Sequence, residues 1–237
     1  MAWRAGAEAG PVRLRIIMPA TALRTVVRYS FLALAIVCLG LYGYAWLERV
    51  LYQIQESREF DRTADQAAAA FLASGDELAP GGRAAPSPRA SARAKLPSTA
   101  PIGRLSIPRL HLVAMVREGI DRRTLQLAVG HIPATALPGQ AGNVGVAGHR
   151  DTFFRGLKDL RTGDEIRFST VDGDFRYQVE SLMVVEPGNI GVLAPSQEPV
   201  LTLVTCYPFS YIGTAPKRFV VRARQAPPLT PAGSIVE

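Results

Sequence analysis

Val200-Leu-Thr-Leu-Val-Thr-Cys-Tyr-Pro-Phe-Ser-Tyr-Ile-Gly-Thr-Ala-Pro-Lys-Arg-Phe-Val-Val-Arg222 is the stretch from which the rest of the chain is read. Val200 to Thr205 is an uncharged run of β-branched and leucine residues, the pattern of a buried strand. The strand delivers Cys206 and stops at Tyr207-Pro208, because proline has no N–H to give a central ladder. Past a loop containing Gly213 and Pro216, a second strand opens on the cationic pair Lys217-Arg218 and runs to Arg224. Upstream, Asn143-Val-Gly-Val-Ala-Gly-His149 is another short strand and ends in an imidazole. A thiol, an imidazole and a guanidinium, each at a strand end, form a set suited to covalent catalysis.

Ala147-Gly148-His149, Thr202-Leu203-Val204-Thr205-Cys206 and the Lys217-Arg218 pair resemble the three signature segments of the sortases. These are cysteine transpeptidases that cut a sorting signal and join it to an amine. The wording around the segments (Gly-His-Arg-Asp-Thr-Phe-Phe, Thr-Cys-Tyr-Pro-Phe, Ala-Pro-Lys-Arg-Phe) is most similar to the class D sortases. The resemblance implies an all-β fold, an eight-stranded β-barrel with short helices. Periodicity alone suggests only a closed barrel or a sandwich. It also implies roles. Cys206 attacks the peptide carbonyl, Arg218 stabilises the oxyanion, His149 protonates the departing amine, and Thr205 helps bind substrate or oxyanion.

The residue types suit those roles. A thiol becomes a strong nucleophile as its thiolate, which neighbouring cations favour. Arginine donates two hydrogen bonds from one plane and fits an oxyanion better than lysine's point charge. Strand alternation puts Arg218, Val220 and Arg222 on one face, so spacing does not choose between the two arginines. The family pattern chooses Arg218. Asp151 either orients the His149 ring or is a salt-bridged or N-capping aspartate before Thr152-Phe153, and the second reading is preferred. His111 and His131 are the other imidazoles, and His131 reads as structural or surface. No Cys/His cluster or calcium-loop spacing occurs, and Glu180, Glu186 and Glu198 are too dispersed for calcium. No metal and no cofactor is expected.

The 237 residues carry a net charge of +7, but the arginines are scattered and no aromatic-interleaved basic patch appears, which argues against nucleic acid. The two cysteines, Cys38 and Cys206, fall in different segments and are not expected to pair. Residues 1–28 read as a basic cytoplasmic tail. Tyr29 to Leu47 is free of charge and about as long as the ~20 residues that cross a bilayer, with Tyr42, Tyr44 and Trp46 at its far end. It is longer than the ~7–15-residue apolar core of a cleaved signal and reads as an uncleaved transmembrane anchor. The arginine excess on its N-terminal side places the rest outside the cytoplasm.

Residues 48–73 keep a helical spacing and read as a stalk; 74–101, with prolines 80, 86, 88, 97 and 101, read as a flexible linker. Residues 102–225 form the expected catalytic domain and 226–237 a tail. A piece starting near Pro101 is expected to keep the fold. Seven strands are expected, at 103–107, 112–116, 143–147, 165–170, 175–185, 200–205 and 218–223, with short helices at 122–128 and 153–160. The polar end after Arg222 holds no C-terminal membrane helix and no aromatic lid precedes the barrel, which by the resemblance favours attaching single proteins over polymerising pilins.

The expected function is transpeptidation of secreted proteins bearing a Leu-Pro-x-Thr-Gly-like sorting signal, through a thioester, onto an amine acceptor of the cell envelope. The rivals are a cysteine endopeptidase with water as acceptor and a non-enzymatic membrane-tethered β-domain.

Overall fold

The computed structural model describes residues 20–73, 101–211 and 213–227. The linker through residue 100, the first part of the basic tail and the end of the C-terminal tail lie outside the described residues. One compact unit reaches Leu47 and a second begins at Glu48. Helix α1 (Ala20–Ala73) contributes to both. In the first unit its apolar side chains are exposed all along, Leu39 and Tyr42 by 70% and 72%. Among the described residues α1 is the one helix long and apolar enough to cross a membrane.

In the second unit eight strands close into a barrel. They are β1 (Pro101–Ile107), β2 (Leu112–Glu118), β3 (Val129–His131), β4 (Asn143–Ala147), β5 (Glu165–Thr170), β6 (Gly173–Val185), β7 (Val200–Tyr207) and β8 (Lys217–Gln225). Their order around the barrel is β1-β2-β3-β4-β7-β8-β6-β5, closed by β5 on β1. Only β2–β3 and β4–β7 are parallel. A parallel pair needs a crossover; helix α2 (Arg122–Leu127) lies in the first connection and the 3₁₀ turn Phe153–Asp159 in the second. Asp121 caps α2, accepting from the backbone N–H of Thr124 at 3.0 Å.

Odd-numbered residues of β7 and β8 point inward: Leu201, Leu203, Val221 and Ala223 join Leu105, Ile107, Ile166 and Phe168 in the core. Each buried side chain of this size stabilises by about 1.5–3 kcal/mol. Alternation then turns the even-numbered residues, Cys206 and Arg218 among them, to the outer face of the barrel wall.

β3 was not among the expected strands. It has three residues with a glycine in the middle, too short to show any period. Its shortness has a further consequence. β3 first meets β2 at Val116, so the β2 edge before that point has no strand beside it. Gln53 of α1 fills the gap: its Oε1 accepts from Met115 N at 2.9 Å and its Nε2 donates to Leu127 O at 2.8 Å. Nearby, Arg49 donates to Gln126 O, Phe60 is buried under the Arg104 guanidinium, and Arg104 pairs with Asp61 at 2.6 Å. The helix from Glu48 to Asp61 thus belongs to the barrel's packing, which a piece starting at Pro101 would lack.

Surface ion pairs such as Arg104–Asp61 contribute about 0–1 kcal/mol, whereas an abandoned backbone donor costs about 1–3 kcal/mol. Gln53 therefore contributes more to the docking than the Arg104–Asp61 ion pair does. Gln53→Ala should lower the thermal midpoint by several degrees, and Asp61→Ala should shift it little. Calorimetry on the two variants checks this, and equal shifts would remove the special role of Gln53.

Candidate active site

The site is built on the parallel pair β4–β7. Ala147 lies opposite Val204 in that register, and the chain leaves β4 through Gly148 to His149. Gly148 is gripped on both sides by β7. Its N–H donates to Val204 O at 3.1 Å, and its carbonyl accepts the Thr205 hydroxyl at 2.8 Å. A Cβ at this position would stand 2.7 Å from the buried Phe154 ring, so the close approach requires glycine. Two residues preceding Cys206 therefore hold the residue preceding His149.

Across the other edge of β7, Cys206 stands directly opposite Arg218 of β8 in the antiparallel register. Directly opposite residues share a face, with Cβ atoms about 4.5–5.5 Å apart. Cys206, His149 and Arg218 line one open cleft of about 280 Å³ together with Arg150, Asp151, Gly213, Thr214 and Ala215. His149 is exposed and Cys206 is half-buried. One guanidinium nitrogen of Arg218 donates to the carbonyls of Lys217 and Ala215, at 3.0 and 3.3 Å. Among the described residues, the remaining N–H groups of its planar fork have no hydrogen-bond partner.

The structure separates the two arginines that spacing left equivalent. Arg222 sits opposite Thr202, and its Nε lies 3.6 Å from Glu180. It does not line the cleft. Lys217 lies 3.7 Å from Glu186. Thr205 is buried and its hydroxyl is spent on Gly148, turned away from the face that carries Cys206. Asp151 lines the cleft. The 3₁₀ turn that begins at Phe153 has no side-chain cap, so Asp151 does not cap it. His131 is buried in the barrel wall, with Nδ1 2.7 Å from Glu118 and Nε2 donating to Ala136 O at 2.9 Å. His111 is exposed at the β1–β2 turn. Among the described residues no group of three or more potential ligands is placed to hold a metal.

Sequence reasoning passed over Arg150. Its guanidinium donates to three backbone carbonyls of the β7–β8 connection: Pro208 at 3.2 Å, Tyr211 at 2.7 Å and Gly213 at 2.9 Å. The only signal in the chain was its place beside His149, which by itself says nothing of a distant loop.

A family model described as "Sortase domain" matches residues 105–226, just over half of the chain. The chain belongs to the sortase family. It is 35% identical over 124 residues to "Sortase D" of Bacillus subtilis (strain 168), covering 52% of this chain and 63% of that one. It is 37% identical over 123 residues to "Sortase SrtE1" of Streptomyces coelicolor, covering 44% and 35%. The matches thus span less than two thirds of either relative. The first agrees with the class D wording around the three motifs. Among solved structures, a Clostridium perfringens Sortase D5 transpeptidase shares the fold at TM-score 0.54 and 24% identity, over 71% of this chain and 98% of that one. The SrtA sortase from Actinomyces oris aligns at TM-score 0.51 and 30% identity, over 56% and 83%. The eight-stranded barrel is the sortase fold.

Within this sortase the Thr205–Gly148 bond makes a prediction. Thr205→Val keeps the shape but leaves the Gly148 carbonyl without its buried donor, a loss of about 1–3 kcal/mol. Thr205→Ser keeps the donor. The valine variant should melt lower and the serine variant near the parent. Identical melting curves for valine and parent would show that the bond holds nothing.

Proposed function

We propose that this sortase is a membrane-anchored cysteine transpeptidase acting on secreted proteins that carry a Leu-Pro-x-Thr-Gly-like signal. The observation that carries the reading is the direct opposition of Cys206 and Arg218 across β7–β8, with His149 in the same cleft. In the first acyl transfer the Cys206 thiolate forms a bond to the carbonyl carbon of the scissile peptide. The carbonyl electron pair moves to oxygen, and the uncommitted Arg218 donors stabilise that oxyanion. When the oxyanion collapses the C–N bond breaks, and His149, protonated, gives its proton to the departing amine. In the second transfer an incoming amine attacks the thioester, loses its proton to His149, and the C–S bond breaks to restore the thiolate. The two transfers together return both groups to their starting state.

α1 supplies the anchor, and the arginine excess before it supports an extracytoplasmic barrel. The endopeptidase reading uses the same residues with water as acceptor, and the outcome of adding an amine separates the two. Thr205 enters this reading as a residue that sets where His149 stands, through Gly148, rather than as one that touches substrate.

Two expectations test the reading. Cys206→Ala should abolish cleavage of a sorting-signal peptide in a folded protein, and Cys38→Ala should leave it intact; equal activity in the two variants would refute the cysteine mechanism. Loss of one oxyanion donor typically costs on the order of 10²–10³ in kcat. Arg218→Ala and Arg218→Lys should both show a large kcat loss, the lysine because it lacks the planar fork. Arg222→Ala should stay close to the parent. A loss confined to KM would make Arg218 a substrate-binding group instead.

A further inference from the structure

We propose that Arg150 is a positioning residue that fastens the β7–β8 loop across the cleft and, through that loop, holds Arg218 in place. The inference rests on the transpeptidase reading above. It begins from the three carbonyls, those of Pro208, Tyr211 and Gly213, that converge on one guanidinium. The loop's own contribution is slight: the Tyr211 N–H reaches Pro208 O at 3.4 Å. The Tyr211 ring lies beneath the same guanidinium, 5.9 Å from its centre. Only arginine has enough donors in a fixed fork to collect acceptors from three points of a loop.

The loop so held is a wall of the cleft, since Gly213, Thr214 and Ala215 line it together with His149 and Cys206. Its next residue of consequence is Ala215, whose carbonyl, with that of Lys217, anchors the Arg218 guanidinium. The connection therefore runs from the segment that carries His149, through Arg150, to the loop, and from the loop to Arg218. None of the acceptors is a carboxylate. Among the described residues no carboxylate pairs with Arg150, so its charge remains beside the cleft. An arginine kept for surface solubility would leave its donors to water; here three of them are spent on one loop.

The test uses the full chain in detergent, with the parent, Arg150→Lys and Arg150→Ala. Displacement of a reacting geometry by about 1 Å costs on the order of 10²-fold. The expected loss in kcat/KM on a sorting-signal peptide is accordingly about 10- to 100-fold, carried mainly by kcat. Lysine, which keeps the charge but has a single point donor, should rescue little of it. Amide exchange at Tyr211, Gly213 and Thr214 should quicken in both variants, while exchange in the core strands β4 and β7 should not change. A fully active Arg150→Lys, or loop exchange equal to that of the parent, overturns the proposal. If Arg150→Ala fails to fold, the lysine variant alone decides on the same two readouts. A parent that cleaves the peptide but transfers nothing to an added amine defeats the transpeptidase reading; the exchange and cleavage measurements still decide the role of Arg150.

Discussion

The placing of His149 beside Cys206 depends on Gly148 lying flush against β7. Its N–H and carbonyl are taken by Val204 and Thr205, so the chain turning out toward His149 is fixed from the two positions before Cys206. The grip works because β4 and β7 are parallel neighbours and deliver their C-terminal ends to one rim. It tolerates no side chain at Gly148, where the Phe154 ring closes the space. Thiol and imidazole are thereby placed by backbone geometry, which rotates far less freely than long side chains. The guanidinium is the exception, and the structure compensates by anchoring one of its nitrogens to Ala215 and Lys217 carbonyls.

The same economy appears where α1 meets the barrel. β3 is only three residues long, and the gap it leaves along β2 is closed by one amide side chain, Gln53, bonded at both ends. The segment expected to be a helical stalk thus completes a ladder. The β6–β7 connection is tied down similarly. Asn143, itself buried, donates to Val192 O and Ala194 O and accepts from Thr202.

The strands around the three motifs were legible because they carry long β-branched runs with a charged or polar residue at the end, a signal that survives without any tertiary context. The placing of Cys206 near the end of β7 and of His149 just past β4 was legible for the same reason. The choice between Arg218 and Arg222 was not legible from spacing, because alternation puts both on one face; what separates them is Glu180, a residue on β6 more than thirty positions away. Gln53 and Arg150 were missed on similar grounds, and β3 because three residues show no period. Each of the two side chains acts through backbone groups of segments distant in sequence, and a side chain that bonds a remote carbonyl leaves no period or motif in its own neighbourhood. The reading of Asp151 as a cap failed locally, since the turn after it is 3₁₀ and takes no side-chain cap.

The account stands or falls on a covalent intermediate at Cys206. The most direct measurement is intact mass followed by peptide mapping after the full chain is mixed with a sorting-signal peptide and quenched in acid. The expected result is a mass increase equal to the peptide's acyl portion, mapped to Cys206, that disappears faster when an amine is added and yields the amide product. A peptide that is cleaved with no adduct on Cys206 at any time, and equally by Cys206→Ala, would contradict the account.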